Sequence, residues 1–77
     1  MESISNLEML MWLRGKINEY EIEIKYLEEL LVTTSGPADD VVNDLEANRM
    51  RKRTYEQEYA RYMKLIEDER NAEQKSQ

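Results

Sequence analysis

The stretch LMWLRGKINEYEIEIKYLEELL, residues 10–31, decides the fold. Within it Leu10, Leu13, Ile17, Tyr20, Ile24, Leu27 and Leu31 recur at alternating steps of three and four, which is the apolar seam of a heptad helix. Such a seam needs a partner of similar length. Upstream, Ser5 stands three residues before Glu8 in a capping-box pattern, with Ile4 and Met9 placed as a hydrophobic staple. The first helix is therefore expected over about residues 5–32, a rod of roughly 40 Å at 1.5 Å per residue.

Downstream, Val32, Thr33, Thr34, Ser35, Gly36 and Pro37 combine β-branched residues, a Ser-Gly pair and the only proline, so a turn belongs at about 33–36. Pro37 suits the first position of a second helix, with Ser35 or Gly36 as its cap and Asp39 and Asp40 complementing the positive end of the dipole. That helix is expected over about 37–71, followed by a frayed polar tail at 72–77. Its stripe is Ala38, Val41, Leu45, Asn48, Lys52, Tyr55, Tyr59, Tyr62 and Ile66, again at steps of three and four. A short turn between two long helices makes an antiparallel hairpin.

Setting Leu27 opposite Leu45 brings the two seams together along the whole hairpin: Leu31 faces Val41, Ile24 faces Asn48, Tyr20 faces Lys52 and Ile17 faces Tyr55. The same register puts Glu23 beside Arg49, Glu21 beside Arg51 and Glu19 beside Arg53. Asn48 and Lys52 then read as polar residues that fix the register. The three tyrosines read as a core stripe with polar tips. The expected fold is a single all-α domain spanning residues 1–77, an antiparallel coiled-coil hairpin.

The first helix also has a second face. On a wheel of 100° per residue, Ile4, Met11, Gly15, Ile22 and Tyr26 lie opposite the seam. Leu7, Met9 and Trp12 widen the apolar surface near the N-terminus, and a helix that is apolar all round is normally buried all round. One partner helix cannot cover it. Two hairpins burying these faces against each other would form a dimeric four-helix bundle, and two-fold closure is the commonest homo-oligomer. The interface candidates are thus Ile4, Leu7, Met9, Met11, Trp12, Gly15, Ile22 and Tyr26, serving self-association or an unidentified protein.

Composition narrows the function classes. At 9.3 kDa a single core rarely supplies more than ~3–5 kcal/mol, so association is the expected supplement. The chain has no Cys and no His, which removes disulfides, thiolate chemistry, the usual zinc ligands and the commonest general base. Carboxylates one turn apart, such as Glu19 and Glu23, have no oxygen-rich loop beside them to organise a metal. With no Gly-rich phosphate loop and no nucleophile–base pair, neither an enzyme nor a cofactor or small-molecule substrate is expected. No apolar run is long enough to span a bilayer, and the start lacks a basic signal-peptide region, so a cytoplasmic protein without membrane contact is expected.

The charge balance is −6, with 17 acidic residues against 11 basic ones, which argues against nucleic-acid binding. Arg49, Arg51, Lys52 and Arg53 form the one dense basic cluster, and a charge zipper with the facing glutamates is its expected use. Two alternatives remain. The carboxylates Glu19, Glu21, Glu23, Glu28, Glu29, Asp39, Asp40 and Asp44 suit an acidic inhibitor occupying a basic site on a nucleic-acid enzyme. The basic cluster, with Tyr55 stacking on a base, suits direct nucleic-acid contact.

Overall fold

The computed structural model describes residues 5–75, the side chain of Lys75 excepted, so Ile4, Ser76 and Gln77 lie outside the described residues. Two helices, α1 (Asn6–Thr33) and α2 (Asp39–Lys75), pack against each other as an antiparallel hairpin, and the described residues form no strand. Ser5 opens α1 from an extended backbone (φ −69°, ψ 159°). Its Oγ accepts from the Glu8 N–H at 3.1 Å, and its carbonyl accepts from the Met9 N–H at 3.0 Å. One otherwise orphaned helical donor is thereby satisfied.

Two threonines close α1. Thr34 turns extended (φ −81°, ψ 126°), and both its N–H (2.9 Å) and its Oγ1 (2.7 Å) donate to the Leu30 carbonyl. The Thr33 hydroxyl reaches the carbonyls of Glu29 and Leu30, each at 3.2 Å. These hydroxyls add a side-chain donor to carbonyls of the last turn, the back-bonding that Ser and Thr make to i−3 and i−4. Gly36 then adopts φ 123°, a region closed to most L-residues, and the chain reverses.

The second helix begins later than its sequence suggests. The Val42 N–H donates to the Ala38 carbonyl at 3.0 Å, so the helical ladder starts from Ala38, and Pro37 stays in the turn with Gly36. Ala38, in place of the expected Ser35 or Gly36, therefore holds the capping position of α2. At the other end α2 continues through Lys75, past the expected end near residue 71. Ala72, Glu73, Gln74 and Lys75 are good helix formers, and no glycine or proline stops them.

The core lies along the seam. Leu13, Ile24, Leu27 and Leu45 are buried, and Leu31 and Val41 pack against the cluster of Ile24, Leu27 and Leu45 near the turn. The remaining seam positions, among them Leu10, Ile17, Tyr20, Lys52, Tyr55, Tyr59, Tyr62 and Ile66, are half-buried. Two helices alone enclose little. The molecule measures 64 × 27 × 14 Å, and its radius of gyration is 18.0 Å, against about 11 Å for a compact domain of this length. No described helix is long and apolar enough to cross a membrane.

Candidate functional site

An antiparallel helix pair has two separate flanks, and each carries a groove here. On one flank a groove of about 820 Å³ is lined by Met11, Arg14, Gly15, Glu21, Glu56 and Tyr59, among others. On the opposite flank a groove of about 520 Å³ is walled by Met9, Trp12, Tyr20, Arg51, Tyr55 and Tyr62. The second contains a small aromatic stack. Tyr20 lies nearly parallel to Tyr55 with centroids 5.5 Å apart, and Trp12 meets Tyr55 edge-on at 5.9 Å and 67°.

This stack changes the position of Trp12. Sequence places it with the outward face; the structure leaves it 51 % exposed but leaning across the flank onto α2, with the Lys16 ammonium 5.7 Å from its ring centroid. Its edge supplements the hairpin, since aromatic pairs of this geometry contribute about 0.5–1.5 kcal/mol beyond area burial. The Lys16 contact was legible in the i, i+4 spacing of Trp12 and Lys16. The Tyr20–Tyr55 stack was not. The simple register faces Tyr20 with Lys52 and Ile17 with Tyr55, but the long rings reach past one layer.

The outward face of α1 is open. Met11 is 68 % exposed, Ile22 64 % and Tyr26 58 %, although all three lie on a helix whose other side is the core. Leu7 is exposed beside them, and Met9 is half-buried at the rim of the aromatic groove. Ile4 is outside the described residues. Gly15 sits within the stripe, and a Cβ built on it meets nothing within 4 Å, so no contact inside the hairpin requires glycine there. Val32, at 86 %, and Met50, at 69 %, are further exposed apolar residues that the sequence reading did not single out.

The basic cluster is divided between the two flanks. Lys52 pairs with Glu21 at 3.5 Å and Arg49 with Glu28 at 4.0 Å. Neither of the expected pairs Glu23–Arg49 and Glu21–Arg51 forms, and Glu19 turns to Lys16 at 3.4 Å in place of Arg53. The cause is geometric. Glu21, Glu28, Arg49 and Glu56 occupy one flank, whereas Glu23 and Arg51 occupy the other, so matching residues by level alone joined opposite sides. Among the described residues no carboxylate lies within ion-pair distance of Arg51 or Arg53. Asn48 does not reach across to α1 either; its Nδ2 donates to the Asp44 carbonyl of its own helix at 2.8 Å.

Compared with known protein families, curated proteins and solved structures, the chain matches none.

Proposed function

We propose that this chain is a non-enzymatic protein–protein interaction module that self-associates through the outward face of α1, bringing four helices together in a cytoplasmic dimer. The observation that carries the reading is the exposed stripe of Met11, Ile22 and Tyr26, set opposite a seam that buries only four residues. Surface area supports it. The chain exposes 6577 Å², whereas a compact monomer of 9.3 kDa exposes about 5,000 Å². Elongation accounts for part of that surplus, and a standard interface removes about 800 Å² from each partner. Lacking His and Cys, the chain offers side chains better suited to contact than to catalysis.

The test is the triple variant Met11→Glu, Ile22→Glu and Tyr26→Glu, measured by light scattering with circular dichroism alongside. None of the three is buried in the hairpin, so helicity is expected to persist while the mass falls from twice 9.3 kDa to 9.3 kDa. A wild-type chain that remains at 9.3 kDa at micromolar concentration overturns self-association.

One observation favours a second reading, contact between α2 and nucleic acid: Arg51 and Arg53 have no carboxylate partner among the described residues. Against it, the Tyr55 ring is already engaged by Tyr20 and Trp12 and is not free to stack on a base. This reading predicts that a single-stranded oligonucleotide binds at low salt, weakens steeply as salt rises, and is lost in Arg51→Ala/Arg53→Ala. Absence of binding at low salt removes it. The acidic-inhibitor reading is weakened by the structure, because Glu19, Glu21 and Glu28 are engaged by cations of the hairpin itself.

A further inference from the structure

We infer that the aromatic groove beside Trp12 receives an amphipathic helix of another protein, one that carries a carboxylate at the end of its apolar stripe. This surface is distinct from the outward stripe of α1, so the inference does not depend on self-association. The lining carries it. Met9, Trp12, Tyr20, Tyr55, Tyr62 and Arg51 form most of the groove, and these are the residue types that protein interfaces concentrate at their cores and hot spots. The opposite groove, lined by Arg14, Glu21 and Glu56 with Tyr59 as its one aromatic, lacks that character.

The rings are held before anything docks. Besides the Tyr20–Tyr55 and Trp12–Tyr55 contacts, the Lys16 ammonium lies 5.7 Å from the Trp12 ring centroid and the Arg61 guanidinium 5.3 Å from that of Tyr62. Side chains ordered in advance lose little freedom on binding. Charge then selects the occupant. Two charged residues line the groove, Glu58 and Arg51. Glu58 is held by Arg61 at 2.7 Å, whereas Arg51 has no carboxylate within ion-pair distance among the described residues. The groove therefore presents one uncompensated cation on an aromatic floor, and an apolar partner that brings a carboxylate complements it.

Backbone chemistry selects its conformation. The described residues form no strand, so there is no sheet edge with which an extended peptide could pair. A segment laid on this apolar floor must satisfy its own backbone groups, and a helix does so. From Met9 to Tyr20 the groove runs about 16 Å, or three helical turns, which anchors at steps of three and four fill. Of the α2 residues in the lining Arg51 is the nearest to the turn, so the partner's carboxylate belongs at that end.

Trp12 is the only tryptophan and lines the groove, so its emission reports occupancy. The probes are capped helical peptides of about 14 residues without tryptophan, with leucine, phenylalanine or methionine anchors, each made with either glutamate or lysine at the end of the stripe. At least one glutamate peptide is expected to shift the emission saturably and to bind about tenfold more tightly than its lysine counterpart. The net charge of −6 favours the opposite order, so the preference can come only from the local cation. Arg51→Glu is expected to invert it. Arg53→Glu, the same charge change outside the lining, should leave it in place. Arg51 is exposed and unpaired, so circular dichroism should show both variants as helical as the wild type. No saturable shift with any peptide overturns the inference, as does a preference for lysine or an equal effect of the two variants. A shift with a single-stranded oligonucleotide and with none of the peptides assigns Arg51 to nucleic acid, which overturns it too.

Discussion

Gly36 and Gly15 are the only glycines, and they occupy opposite physical situations. At Gly36 the backbone itself demands glycine, because φ is 123° and a Cβ is strained there whatever room surrounds it. Gly36→Ala is accordingly expected to destabilise the hairpin by about 1 kcal/mol or more. For a domain of this size that lowers the melting midpoint by about 4–8 °C, read by circular dichroism. An unchanged midpoint would show that the turn relaxes into another conformation without cost. At Gly15 the backbone is ordinary helix and a Cβ meets nothing within 4 Å, so the hairpin itself does not require glycine there. Neighbouring Ser35 and Pro37 already mark Gly36 as a turn residue and the helical periodicity marks Gly15 as a helix residue; the dihedral angle adds why the turn requires glycine.

At the scale of the helices, the seam is apolar at both ends and polar in its middle. Lys52 occupies a half-buried seam position, with its ammonium held by an exposed Glu21 at 3.5 Å. An ion pair so placed contributes only about 0.2–1 kcal/mol, less than the burial of an apolar side chain in the same groove. Lys52→Leu is therefore expected to raise the melting midpoint, with the hairpin register held by the Leu27–Leu45 cluster; a fall would show that the lysine supplies more than its pair. The seam was legible in the sequence because burial follows a period of three and four, and every position so assigned from Leu10 to Ile66 is buried or half-buried. The ion pairs were not, because level along a hairpin can be read from numbering, whereas the flank a charge occupies requires the helices in place. Trp12 escaped for a related reason. Its wheel position is outward, but an indole is wide enough to lean back over the flank and touch Tyr55.

The whole molecule is a thin rod, and its shape constrains any assembly. The outward stripe and the seam lie on opposite faces of α1, whereas a bundle with a shared core needs two contact faces about 90° apart. Pairing through the stripe thus places the helices in a single layer in the order α2, α1, α1, α2, and each α1 is covered on both faces while each α2 keeps one face free. On the self-association proposed above, the four helices would then form a slab in place of a closed bundle. Solution scattering distinguishes these shapes from an end-to-end chain. If two hairpins pair along the length of α1, they lie alongside one another. Two interhelical spacings of about 10 Å separate them, which raises the radius of gyration only from 18.0 Å to about 21 Å. The longest dimension should stay close to the 64 Å of one hairpin while the thickness remains near the 14 Å of a single layer. A dimer whose longest dimension nearly doubles joins its rods by their ends, and in that arrangement Met11, Ile22 and Tyr26 would still face water.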